Sequence, residues 1–330
     1  MSDLAIFSGT SNKQLSKDIC SYIGINAGRS VISHFPDGEI MVKIEDNVRG
    51  KDCFVIQSTC DPVNKNLMEL FIFIDCLKRA SANSISIVVP YYGYARQDRK
   101  TEGRTPITAK MIADLITSLG AQRMLTMDLH ARQIEGFFNI PVDHLQAFPV
   151  FVNYLKQKDL NDYAVLSPDV GNMKTANLYA QELDLSLAVI DKRRENGEET
   201  VARKLVGNVK DLNVLIFDDM ISTAGTICKA ATKAKEEGAK KIIVTATHGL
   251  FSGKAYENIV GSDIDEIIVS DTVPLKERMQ KLIGKKDPTG LYPEIKVISI
   301  AKLLGEAIIR INDKRSVSIL LESDYENNMR

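Results

Sequence analysis

The sequence predicts an α/β protein of two similar domains, each a mainly parallel sheet flanked by helices. Three observations carry this. Short runs rich in Val and Ile alternate with helix-forming segments, the pattern of parallel strands joined by crossover helices. The two halves resemble each other at a fixed offset of 118: Thr105-Pro-Ile-Thr108 aligns with Thr223-Ala-Gly-Thr226, Gly120-Ala121 with Gly238-Ala239, and His130 with His248. Loop-forming residues cluster between Pro141 and Pro149, which places a domain boundary there. The expected organisation is a first domain over 1–145, a second over 146–310, and a C-terminal strand and polar tail over 311–330.

Taken in order, strands are expected at 4–8, 53–57, 85–90 and 123–127 in the first half, and at 164–167, 214–217, 241–246 and 267–269 in the second. The helices between them are expected at 66–80, 108–119, 172–183 and 226–237. A length of 330 residues suits two cores rather than one.

The charge balance gives no pull toward nucleic acid or an acidic membrane: 42 basic residues face 43 acidic ones, a net charge of -1. Five cysteines, none in a Cys-x-x-Cys pair, argue against a disulfide framework or a zinc site and fit a reducing cytoplasm. The N-terminal residues do not form a basic-then-apolar leader. The most apolar stretch, 67–77, is broken by Glu69 and Asp75 and is too short to span a bilayer.

Residues 214–226, VLIFDDMISTAGT, are the most informative stretch. An apolar strand ends in Asp218 and Asp219, and a small-residue loop, Ser222-Thr223-Ala224-Gly225-Thr226, opens a helix. Loop N–H groups and a helix N-terminus make a phosphate cradle. Carboxylates cannot grip phosphate, so the acidic pair suits sugar hydroxyls or a cation, and the ligand reads as a phosphorylated sugar. The plain alternative is a solvated turn with Thr as N-cap. In the first copy Pro106 removes one N–H from the matching loop, so only the second loop is expected to hold the sugar phosphate.

Other segments carry candidate chemistry beside structural readings. Arg96, Arg99 and Lys100 follow a strand, where guanidinium forks match phosphate or the run is a charged loop. Asp128 and His130 follow another strand and can face a cation or a phosphate, or be structural. Asp169, in Ser167-Pro-Asp-Val-Gly171, is a candidate magnesium ligand, or an N-cap or Asx turn. Lys192, Arg193 and Arg194 root a polar stretch, 195–204, that reads as a closing loop or a charged hairpin. Phe35-Pro-Asp-Gly-Glu39 is a turn in which Phe35 can stack on a base while Asp37 or Glu39 accepts from an exocyclic amine.

With FPDGE, YYGYARQDRK, DLHA, SPDVG, DKRR and DDMISTAGT in this order, the chain resembles the ribose-phosphate pyrophosphokinases of the phosphate-dependent class, from Leu4 to about Leu321. The resemblance implies two phosphoribosyltransferase-type, Rossmann-like domains. It implies transfer of the diphosphate of ATP to the anomeric hydroxyl of ribose 5-phosphate, with AMP as the second product. Phe35, Asp37, Gly38 and Glu39 would meet the adenine from a neighbouring subunit, and Arg96 and Gln97 would contact ATP. His130 and Asp169 would lie on the Mg2+ side. Lys192 and Arg194 would stabilise the transition state. Asp218 and Asp219 would bind the ribose hydroxyls, and Ser222, Thr223, Ala224, Gly225 and Thr226 the 5-phosphate.

The resemblance further implies a homohexamer, activated by inorganic phosphate and inhibited by ADP. The effector site would involve Arg49, Ser81, Arg104, Gln133, Asp143, Ser316 and Ser318. Two positions depart from the pattern: Ser222 stands where many members have Asp, and Glu195 where many have Pro. The competing readings are a phosphoribosyltransferase and a catalytically inactive regulatory paralogue. The first has no reason to carry YARQDR and FPDGE, and the second predicts loss of the loop cations, which are intact.

Overall fold

A computed structural model of the chain describes residues 4–194, 201–285, 287, 289 and 291–321. The chain divides into two compact units, the first formed by Met1–Gln146, Thr272–Pro274 and the described part of Ser299–Arg330, the second by Ala147–Asp271 and Leu275–Ile298.

The first unit runs β1 (Leu4–Ser8), α1 (Lys13–Ile23), β2 (Ser30–His34), β3 (Ile40–Ile44), β4 (Asp52–Ile56), α2 (Val63–Arg79), β5 (Ser84–Val89), α3 (Thr108–Leu119), β6 (Arg123–Met127) and β7 (Val142–Leu145). Its main sheet is wholly parallel in the order β1-β4-β5-β6-β7. Strands covered on both faces bury nearly every position, which is why β4 runs apolar from Cys53 to Ile56 and β5 from Ile87 to Val89, with buried Ser86 the polar exception. Helix α2 buries Leu67, Leu70, Phe73, Ile74 and Leu77, an i, i+3, i+4 stripe, in this core. The β2–β3 pair is a separate antiparallel hairpin.

The second unit runs α4 (Phe148–Leu155), β8 (Tyr163–Ser167), α5 (Met173–Glu182), β9 (Ser186–Arg194), β10 (Val201–Val206), β11 (Asn213–Ile221), α6 (Gly225–Glu236), β12 (Ile242–Gly249), α7 (Ala255–Ile259), β13 (Glu266–Ser270), α8 (Glu277–Gln280) and β14 (Glu294–Ile298). Its seven-stranded sheet has the order β10-β9-β8-β11-β12-β13-β14, parallel except for the β9–β10 pair. Strand order reverses between β8 and β11, since β9 is added on one side and β12 on the other. Open α/β sheets bind ligands at such a switch point, outside the carboxyl ends of the strands.

The offset between the halves has a structural counterpart. Helices α3 and α6 have 12 residues each and are followed by a left-handed glycine, Gly120 at φ 112° as the C-cap of α3 and Gly238 at φ 91° one residue past the C-cap Glu237 of α6.

Several expectations are corrected. The C-terminal segment forms no strand among the described residues: α9 (Ala301–Asn312) is followed by a 3-10 turn, Ser318–Leu321. Residues from Ser299 on also group with the first unit, not with a second domain ending at 310. The reason lies in α9, which packs on α1. A Cβ at Gly305 would stand 2.6 Å from the Tyr22 ring, and buried Glu306 accepts from Tyr22 Oη at 3.2 Å and from Arg310 Nε at 2.8 Å. Of the stretch 195–204, read as a closing loop or a charged hairpin, the described part belongs to β10, which pairs antiparallel with β9 from Val201–Arg194 to Val206–Val189, as a hairpin does. Glu195 and the tail from Ser323 lie outside the described residues. No helix among the described residues is long and apolar enough to cross a membrane.

Candidate functional site

Asp218 and Asp219 do not follow β11 but lie within it. The strand continues to Ile221, with Met220 opposite His248 and Ile221 opposite Gly249 on β12, so pairing carries it past the acidic residues. Both carboxylates are half-buried. Phe217, just before them, stacks on Tyr179 of α5 with ring centroids 3.6 Å apart and planes 5° from parallel. The Asp219 N–H donates to Asp218 Oδ1 at 2.9 Å. Burial, with the neighbouring Asp219 charge and a smaller push from Asp169, raises the Asp218 carboxyl to about 8. The site therefore carries more acid than it can ionise unaided.

Asp169 follows β8, across the switch point from β11. Its Oδ1 accepts from Asn172 N–H at 3.0 Å, three residues on, so it caps the turn that leads into α5, close to the structural reading. Asn172 Nδ2 in turn donates to Phe217 O at 2.6 Å, tying the loop after β8 to β11. The Asp169 charge still reaches Asp218, so this side chain has both a local and an electrostatic role.

The loop Ser222–Thr226 follows β11. Helix α6 begins at Gly225 with Ala224 as its N-cap residue at φ 64°, ψ -1°, and no side chain caps it. The Thr N-cap of the plain alternative is thus not what forms. A left-handed non-glycine at a helix start is strained, and such residues gather at ligand sites. Uncapped helix-start N–H groups suit an anion.

Lys192 and Arg194 lie in β9, opposite Arg203 and Val201 of β10.

In the first unit, Arg96 and Gln97 are exposed on the turn after β5 and line a cavity of about 500 Å³ with Asp61, Asn64, Lys65 and Tyr94. The turn is locked from below. Gly93 N–H donates to Thr59 Oγ1 at 2.6 Å, and a Cβ at Gly93 would stand 2.5 Å from Thr59 O. Gln97 Oε1 accepts from Thr108 Oγ1 at 2.5 Å, which orients its amide. Phe35, Asp37, Gly38 and Glu39 form the exposed tip of the β2–β3 hairpin. Phe35 N–H donates to Glu39 O at 2.8 Å, and Gly38 takes φ 96° to close the turn.

His130 is exposed at the end of the β6 loop. That loop is set by a residue the sequence reading passed over. His144 Nε2 accepts from Leu129 N–H at 2.8 Å, and its other ring nitrogen lies 2.6 Å from Glu135 Oε1. Accepting at Nε2 puts the neutral ring's proton on Nδ1, where Glu135 receives it.

The expected effector residues are brought together in part. The Arg49-Gly50 turn meets Ser81, which accepts at its carbonyl from Gly50 N–H at 2.9 Å. Ser316 and Ser318 hydroxyls are 2.6 Å apart. Asp143 is paired with Arg123 at 2.6 Å, Gln133 donates to Asp98 at 3.1 Å, and Arg104 sits at φ 65°.

No three His, Cys, Asp or Glu side chains among the described residues form a metal cage. The donors fit magnesium nonetheless. That ion takes one or two carboxylates and completes its shell with substrate phosphates and water. Asp169, Asp218 and Asp219 supply hard oxygen donors and a charge excess that a divalent cation relieves.

Comparison with known proteins bears on the same residues. A family described as the N-terminal domain of ribose phosphate pyrophosphokinase matches residues 4–120, and the phosphoribosyl synthetase-associated domain matches 197–322. A ribose-phosphate pyrophosphokinase of Oceanobacillus iheyensis is 47% identical over 97% of this chain and 98% of its own. One from Caldanaerobacter subterraneus is 49% identical over 96% of this chain and 97% of its own. The crystal structure of phosphoribosylpyrophosphate synthetase from Mycobacterium smegmatis superposes with a TM-score of 0.85 at 37% identity, covering 94% of this chain and 99% of that one.

Proposed function

The chain belongs to the ribose-phosphate pyrophosphokinase family, and from that membership we propose how its residues divide the work. The reaction is transfer of the β,γ-diphosphate of ATP to the 1-hydroxyl of ribose 5-phosphate. The hydroxyl oxygen bonds to the β-phosphorus while the bond to the α-phosphate oxygen breaks. AMP leaves, 5-phosphoribosyl 1-diphosphate forms for nucleotide biosynthesis, and the hydroxyl proton passes to solvent.

The observation that carries this reading is the pairing, at one switch point, of half-buried carboxylates with an uncapped helix start. Asp218 and Asp219 accept from the ribose hydroxyls, and the N–H groups of 222–226 hold the 5-phosphate. The sugar is then fixed at both ends, which orients the 1-hydroxyl for attack on the β-phosphorus. Arg96 and Gln97 bind ATP, and the hairpin tip Phe35–Glu39 of a neighbouring subunit covers the adenine. Lys192 and Arg194 neutralise the charge that develops on the transferring group. Magnesium, when bound, would supply charge neutralisation for the transferring phosphates; His130 and Asp169 are the residues that would hold it, with the Asp218–Asp219 charge close to Asp169.

The same reading makes the protein a cytoplasmic homohexamer regulated by inorganic phosphate and ADP through Arg49, Ser81, Arg104, Gln133, Asp143, Ser316 and Ser318. The test is product identity. Protein supplied with Mg-ATP and ribose 5-phosphate should release AMP. Release of ADP would mean ordinary kinase chemistry and would end the reading.

A further inference from the structure

The phosphate loop is held from behind, and one side chain does part of the holding. Three successive carbonyls along it are occupied. Ser222 O accepts from Ser252 N–H at 2.8 Å, Thr223 O accepts from Asn258 Nδ2 at 2.8 Å, and Ala224 O accepts from Cys228 N–H at 3.0 Å. In a trans peptide the carbonyl and the following N–H point in opposite directions across a rigid plane. Fixing the three carbonyls outward therefore fixes the N–H groups of Thr223, Ala224 and Gly225 the other way. These form a run of donors through a left-handed residue, the backbone arrangement that makes an anion nest. Each occupied carbonyl also polarises its own peptide and strengthens the N–H as a donor.

The three ties differ in kind. The first comes from main chain in the 250–253 loop, and the third is the opening bond of α6. The second comes from the side chain of Asn258 on α7. The backbone that carries it is tied to α6, since the main-chain Asn258 O accepts from Cys228 Sγ at 3.2 Å. It reaches the loop from outside the anion position, because it meets the carbonyl and not the N–H. We propose that Asn258 is a positioning residue for the sugar phosphate: it aims the Ala224 N–H and touches no substrate. The inference rests on the function proposed above.

The test separates binding of one substrate from everything else. Asn258 is exposed, so its replacement leaves the core of the unit intact. Asn258→Ala should raise the KM for ribose 5-phosphate about three- to tenfold, the cost of one net hydrogen bond. The KM for ATP, the kcat and the melting temperature should stay close to wild type. Asn258→Asp keeps the shape but loses the donor and brings a negative charge near the anion, so it should be worse than alanine. Asn258→Gln keeps an amide donor and should recover part of the loss. Calorimetric titration of ribose 5-phosphate should give the same order without turnover. A wild-type KM and Kd for ribose 5-phosphate in Asn258→Ala would overturn the inference, as would a parallel loss in both substrates and in melting temperature. Failure of the wild-type protein to release AMP would instead defeat the proposed function, while the titration still reports on Asn258.

Discussion

The main-chain N–H of Asp219 donates to the Asp218 carboxylate at 2.9 Å, so adjacent residues of one strand share a local bond while their two charges repel. Burial and that repulsion raise the Asp218 carboxyl from its ordinary 3.8 to about 8. An acid shifted upward by folding favours the folded state fully below its ordinary value. That contribution erodes as pH rises from 3.8 to about 8 and is flat beyond. Asp218→Asn removes the titration and keeps the shape. The variant should therefore gain on wild type in thermal stability as pH rises through this window, by on the order of 1–3 kcal/mol, and lose turnover. Melting curves at pH 5, 7 and 9 check it, and a constant difference between the two proteins would exclude the assigned shift.

At the opposite end of the same sheet, Glu266 is buried at the start of β13 and receives three lysines. Lys241 Nζ is 2.7 Å from Oε2, and Lys158 and Lys296 are 3.0 and 3.1 Å from Oε1. Burial alone raises such a carboxyl, but the bonds and charges of Lys241, Lys158 and Lys296 outweigh it and bring Glu266 from 4.5 down to about 2. Here the sign is reversed. The stabilisation is complete above 4.5 and is lost as pH falls toward about 2. Glu266→Gln leaves three cations without their counter-charge and should cost about 3 kcal/mol at pH 7. Its gap from wild type should close as the pH is lowered through that range. Denaturant titrations at pH 7 and pH 3 distinguish this from a pH-independent packing defect.

How much of this was legible before the structure depended on where each signal resides. The buried parallel strands were legible because short runs dense in Val, Ile and Leu are a local pattern. The matched helices α3 and α6 were legible from repeated residues at one offset. The hairpin β2–β3 was not, because its two faces are half-exposed and Ser30–His34 mixes polar and apolar residues without clean alternation. Strand β10 was hidden by its charged residues at the edge of the sheet. The supports of the site were hidden for a different reason. Leu129 and His144 are 15 residues apart, Thr223 and Asn258 are 35, and Thr10 and Glu69 are 59. No local period encodes a partner at such distances. Only the fold places the donor at its acceptor.

That last pair gives a further prediction. Glu69 is fully buried on α2 and accepts from Thr10 N–H and Thr10 Oγ1, both at 2.6 Å, and from Gln57 Nε2 at 3.0 Å. Gln57 Oε1 accepts from Ser11 N–H at 3.1 Å, so the loop after β1 is stapled to the interior by two side chains. Gly9 has no room to change. A Cβ there would stand 2.2 Å from Gln57 Oε1 and 2.9 Å from Glu69 Oε1. Gly9→Ala should push Gln57 aside and destabilise the protein by about 1–3 kcal/mol. Amide hydrogen exchange at Thr10 and Ser11 should quicken first, and unchanged protection at both would show that the loop holds without this network.

The last prediction concerns the proposed transition-state cations. Lys192 lies in β9, opposite Arg203, on the strand that lies beside β8 and so one strand away from Asp218 and Asp219 on β11. A cation that meets charge only as it develops on the transferring diphosphoryl group contributes little to the ground-state complex. Lys192→Ala should then lower kcat by about 10²–10³-fold, the loss seen when one preorganised donor is removed from developing charge. The KM for ATP should change little, because binding before the chemical step does not use that contact. Steady-state kinetics with ATP varied at saturating ribose 5-phosphate separate the two parameters. An equal loss in kcat and in ATP affinity would make Lys192 a ground-state ligand of the triphosphate. Arg194→Ala should follow the same pattern if the two side chains act on one developing charge, with the double variant little worse than the poorer single one.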